Sequence, residues 1–178
     1  MTAQSHPLAL LGRSAVVMSG SLGGTAHVLP SRATPCATWD LGTLIGHVSE
    51  SVDLLTRLVG GSPPPSNSPD CRVRARHGIR QLLLALRHAQ PGRADVELAA
   101  LTGAFELTVH AWDINESTRC GAPIPADLAS TLLSLAPAVL GEVDRDGLFD
   151  PSHPPAPSQS TDLDRLLALF GRQRKDTP

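Results

Sequence analysis

The chain has 178 residues, 41% of them hydrophobic, and a formal net charge of −2. That length supports one domain with a substantial core and is short for two ordinary ones. No apolar run approaches the roughly 20 residues that span a bilayer, and the charge balance offers no global attraction to nucleic acid or an anionic membrane.

Leu8 to Val28 reads as a first helix, with Leu8, Leu11, Ala15, Met18 and Leu22 at apolar positions. Gly20, Gly23 and Gly24 weaken its C-terminal half. Thr34 to Asp40 is a turn ending at a helix start, where Asp40 or Thr38 can cap the exposed amides. The helix that follows runs from Leu41 to Val59 on a stripe of Leu41, Leu44, Ile45, Val48, Val52, Leu55 and Val59. His47 lies at the edge of that stripe and reads, by itself, as a partly buried histidine bonded to a backbone carbonyl.

Gly60 to Asp70 holds four prolines and three serines and cannot continue the helix. Helical patterning returns from Val73 to His88 through Ile79, Leu82, Leu83 and Leu86. Six arginines and no acidic residue lie between Cys71 and Ala94, with Arg72, Arg76, Arg80 and Arg87 on roughly one face. A solvated face is the ordinary meaning of such a run. An anion-binding rim or a nucleic-acid contact is the alternative, weakened by the absence of interleaved aromatics.

After Pro91-Gly92 comes the segment that organises the chain, a helix from Glu97 to Ser117. Leu98, Leu101, Phe105, Val109 and Trp112 form one apolar stripe, and Leu107, Ala111 and Ile114 a second, as in a buried helix. Glu106 and His110 are four apart, one turn along the same face. A carboxylate and an imidazole so placed can ligate one metal ion, and a buried Glu without a partner is costly. Ala99, Thr102 and Gly103 share that face and are small enough to leave room for an ion. Asp113, a turn beyond His110, can orient the imidazole or bond the neighbouring backbone. Gly121 to Pro125 is a turn. Ala126 to Val143 is a further helix, which Pro137 should kink or break. Asp150 to Gln159 reads as an extended strap, and Asp162 to Phe170 as a short closing helix with an Arg/Lys-rich tail. No stretch sustains the period-two alternation of a strand, so the fold class is all-α: four main helices in a bundle, with a strap and helix added.

Cys36, Cys71 and Cys120 form neither an even disulfide framework nor a Cys-x2-Cys pair. No basic region precedes an apolar core at the start of the sequence, so no secretory signal is expected. Reduced thiols and a cytoplasmic location follow as expectations. Cys36 reads as a small buried hydrophobe in a turn, and Trp39 and Trp112 as core residues near the site. His6, His27, His77, His88 and His153 have no partner spacing.

Three groups of residues carry a family resemblance: Thr34-Pro35-Cys36-x2-Trp39-Asp40-Leu41-x2-Leu44-x2-His47-Val48, then Glu106-Leu107-x-Val109-His110-x-Trp112-Asp113, then Phe149-Asp150-Pro151 with Leu163 to Arg172. Over almost its whole length the chain resembles the DinB-like four-helix metalloproteins. More narrowly, it resembles the metal-binding domain of mycothiol-dependent maleylpyruvate isomerases, taken here as a single domain over 1–178. The resemblance implies a divalent metal, usually zinc, held by a His from one helix and Glu-x3-His from another, at the positions of His47, Glu106 and His110. It also implies mycothiol or another small thiol as co-substrate and a small electrophilic metabolite as the second partner. The reading leans to an enzyme, a thiol-dependent transferase or isomerase. The alternative is a non-catalytic, metal-stabilised binding or regulatory module. No membrane partner is expected, and a homodimer is left open.

Overall fold

The computed structural model describes residues 6–36, 38–65, 68–90, 92–140 and 161–173. The strap, Phe149-Asp150-Pro151, His153, positions 141–143 of the fifth expected helix and the last five residues lie outside them. The chain divides into two compact units, Met1–Pro123 and Ile124–Pro178. Among the described residues all regular structure is helical, apart from one isolated antiparallel bridge between Ala33 and Asp40.

The first unit holds α1 (Pro7–Gly23), α2 (Leu41–Leu58), α3 (Cys71–His88) and α4 (Ala94–Thr118). Pro7 suits the first turn of α1, where its missing N–H costs nothing. The expected helix to Val28 stops at Gly23, where the glycine-rich sequence gives the backbone no reason to stay helical. Asp40, one of the two expected caps, accepts a 2.8 Å hydrogen bond from the Thr43 amide and starts α2. Asp70 does the same for α3 through the Arg72 amide. Asp95 and Glu97 in the first turn of α4 complement its exposed amides, and Arg119 ends it in the left-handed region at φ 57°.

α4 packs on α1 and α2, and α3 packs on α2 and α1, a bundle-like arrangement. All seven expected stripe positions of α2 and its boundary are buried. From Ala99 to Ile114 every residue of α4 is buried except Thr102 and Glu106. Leu98 departs from its expected place in the stripe: it is exposed, in the first turns of α4.

Two glycines set the interhelical spacing. A Cβ on Gly103 would sit 3.0 Å from Leu11 Cδ1 and 3.3 Å from Leu55 Cδ1, so α1 and α2 come directly against the α4 backbone. Leucines, rather than an open space, occupy that side of the helix. A Cβ on Gly78 would meet Val52 Cγ2 at 2.5 Å, which presses α3 onto α2. Between α1 and α4 the buried Thr108 hydroxyl donates to Ser14 Oγ, which donates to the Leu10 carbonyl, so the polar pair is satisfied inside the core.

The second unit contains α5 (Ala126–Leu140) and α6 (Asp162–Leu169), which pack on each other. Of the expected kink or break at Pro137 the break does not occur: α5 runs through it, at the cost of the one hydrogen bond that position would have donated to the Leu133 carbonyl. Thr161 and Asp164 form a reciprocal capping box that starts α6.

Candidate metal centre

The 3.6-residue period of α4 places Glu106 and His110 one above the other, and the packing of α2 on α4 brings His47 to them. His47 Nε2 lies 2.8 Å from Glu106 Oε1, and His110 Nε2 lies 3.4 Å from the same oxygen. The three ligand atoms fall within 4.8 Å of one another. In a tetrahedral zinc site with bonds of about 2.0–2.2 Å, ligand atoms stand roughly 3.3–3.5 Å apart. The Glu106–His110 edge already has that length. The Glu106–His47 edge would open by about half an ångström, a small movement for the more exposed of the two histidines.

The charges of the triad are coupled. Glu106 Oε1 is buried, with two ring nitrogens close by and neither in good hydrogen-bond alignment. Burial works to raise the Glu106 carboxyl, but His110 and His47 outweigh it and hold the group well below the usual carboxylate range. Burial also opposes a charge on His110, yet Glu106 and the bonded Asp113 push its imidazole well above the ordinary histidine value. Each group keeps its charge through the others.

One edge of the site is open. The His47 and Glu106 side chains retain 33% and 23% of their surface, while His110 keeps 8%. Among the described residues no fourth His, Cys, Asp or Glu joins the group. Ser51, one turn after His47, places its hydroxyl 3.3 Å from His47 Nε2.

Trp39 belongs to this site and not to the core. It is half-buried, its ring centroid 4.5 Å from that of His47 and 6.1 Å from that of His110, so the indole walls one side of both imidazoles. The loop that carries it is tied to α4: Ser117 donates to the Ala33 carbonyl at 2.8 Å and Arg32 donates to the Ser117 carbonyl. Within the loop Thr34 Oγ1 donates to the Trp39 carbonyl at 2.7 Å. Trp112, by contrast, is buried as expected.

Behind His110 lies a second group of candidate ligands, Cys36, His110 and Asp113. Protons already satisfy it: His110 Nδ1 and Asp113 Oδ2 form a 2.9 Å hydrogen bond, and the Cys36 thiol donates to the same oxygen at 3.3 Å. Of the two roles open to Asp113, the contact with His110 is formed. Cys36 is a donor in this chain rather than an apolar filler. Nothing in its spacing signals that, because it lies 77 residues from Asp113.

The remaining histidines stay apart from the site: His6 accepts from the Leu8 amide at the start of α1, and His27, His77 and His88 are exposed. The arginine run divides. Arg72 pairs with Asp70 and donates to the Thr25 carbonyl, and Arg74 donates to the Ser68 carbonyl, so both tether the loop before α3. Arg93 pairs with Asp95 at the start of α4, and Arg76, Arg80 and Arg87 are the exposed remainder.

Two uncharacterised proteins, from two strains of Mycobacterium tuberculosis, are each 27% identical to the chain over 154 residues, covering 78% of it and 82% of their own length. No family model and no solved structure matches.

Proposed function

We propose that the chain is a divalent-metal protein of the DinB-like four-helix class, with His47, Glu106 and His110 as ligands, zinc as the natural candidate, and a small thiol as its co-substrate. The observation that carries this reading is the convergence of two imidazole Nε2 atoms, from two helices, on one buried carboxylate oxygen. Three N/O ligands with an accessible edge suit a catalytic ion better than a closed structural one. When bound, such an ion would accept a thiol at an open position and depress its pKa, supplying a nucleophile near neutral pH.

The protein's own residues have separate parts in this scheme. Glu106 balances the ion's charge. The buried His110 fixes the position of the centre. The more exposed His47 closes it from α2, and Trp39 gives one side an apolar wall against which a small electrophile can lie. A thiol-dependent transferase or isomerase acting in the cytoplasm is the activity we assign, with mycothiol as the thiol that the sequence resemblance suggests.

Cobalt substitution tests the proposal. Titration of the cobalt protein with mycothiol and simpler thiols should produce an intense sulfur-to-metal charge-transfer band in the near ultraviolet, absent in His110→Ala. A cobalt spectrum that no thiol perturbs at millimolar concentration would remove the thiol chemistry and leave a metal-stabilised module. Equal metal content in wild type and His110→Ala would remove the metal site itself.

A further inference from the structure

His110 has two ring nitrogens, and the proposed ligand role uses only Nε2. The other, Nδ1, faces Asp113, whose side chain is fully buried. Asp113 Oδ2 receives two donors, the His110 ring at 2.9 Å and the Cys36 thiol at 3.3 Å. The two donors come from different parts of the chain, one from α4 and one from the loop anchored to α4 through Ser117. A carboxylate held from two directions has little freedom to rotate.

We infer that Asp113, braced by the Cys36 thiol, is a positioning residue that locks His110 in its Nδ1–H tautomer and so aims the Nε2 lone pair at the point between Glu106 and His47. A neutral imidazole carries one N–H, and the partner of that N–H decides which nitrogen is left to ligate. A carboxylate can only accept, so Asp113 selects Nδ1–H. An asparagine in its place could turn its amide and donate to Nδ1, which would put the proton on Nε2 and occupy the ligand position. Partners of this kind typically change metal affinity by roughly 10–100-fold. Cys36 contributes by fixing the carboxylate plane: a serine there preserves a donor, an alanine does not.

The functional meaning of this inference rests on the metal reading above, and the experiment separates the two. Histidine-specific 15N spectra of the metal-free protein, recorded at alkaline pH where imidazoles are neutral, report the tautomer directly. Wild type should show His110 as Nδ1–H, and Asp113→Asn should move it toward Nε2–H. Zinc titration against a competing chelator should then show affinity about 10–100-fold weaker in Asp113→Asn. Cys36→Ala should be weakened less, and Cys36→Ser should stay near wild type. Circular dichroism confirms that each variant is folded. If Asp113→Asn does not fold, the Cys36→Ala and Cys36→Ser pair carries the same comparison. An unchanged tautomer together with unchanged zinc affinity in the variants overturns the inference. Should wild type take up no zinc, the metal reading falls, and the tautomer comparison alone decides what Asp113 does.

Discussion

Glu106→Gln is the sharpest perturbation of this protein, because it preserves shape while removing the only carboxylate in the triad. In the wild type, a metal that binds the folded state alone stabilises it by RT ln(1 + [L]/Kd), about 2.7 kcal/mol at a hundredfold excess over Kd. For a chain of this size each kcal/mol moves Tm by roughly 2–4 °C, so zinc should raise the wild-type melting temperature by about 5–11 °C. Glu106 Oε1 is the atom that both ring nitrogens face, and its amide replacement brings no charge to balance the ion. The zinc-dependent shift should fall to within a degree or two in Glu106→Gln. The variant also changes the pH response. His110 is raised in the folded state by Glu106 and Asp113, so its contribution to metal-free stability is present below the unfolded value of about 6.5 and is lost as pH rises through the folded value. Glu106, depressed in the folded state, contributes above the unfolded carboxylate range and loses that contribution as pH falls through the folded value. Zinc must displace a proton from His110, so zinc stabilisation should grow as pH rises toward the raised folded value of that imidazole. Differential scanning fluorimetry over pH 5–9, with zinc and with chelator, measures both effects. An equal zinc shift in Glu106→Gln, or a shift independent of pH, would refute the ligand assignment.

Two further outcomes follow from the packing. Gly78→Ala should destabilise the first unit by about 1–3 kcal/mol, although alanine is the better helix former, because its Cβ would lie 2.5 Å from Val52 Cγ2; a chemical denaturation curve at or above wild-type stability would show that α2 and α3 separate easily. Trp39 stands against both imidazoles whereas Trp112 is buried, so cobalt quenching of the fluorescence should be largely lost in Trp39→Phe and persist in Trp112→Phe, and the reverse result would place the metal elsewhere.

Spacing along one helix is local physics, and it was legible without coordinates. The 3.6-residue period alone puts Glu106 beneath His110, and the apolar repeat alone marks α4 as buried and α2 as amphipathic. Asp40 announces the start of α2 because a short carboxylate can reach the free amides of the next turn. The relations between elements are of a different kind. Periodicity leaves His47 at the edge of a stripe, an ordinary place for a histidine; only the resemblance joined it to Glu106, and only the packing of α2 on α4 brings its ring to 2.8 Å from that carboxylate. The depth of that packing depends on Gly103, whose missing side chain admits Leu11 and Leu55. Leu98 fits the helical stripe yet is exposed, since a repeat shows which residues share a face but not where the covering helices end. Trp39 turning out of the core, and the Cys36–Asp113–His110 chain, depend on a loop fastened to α4 by Ser117 and Arg32. Contacts across 77 residues leave no trace in local spacing, because what sets them is how the chain closes on itself.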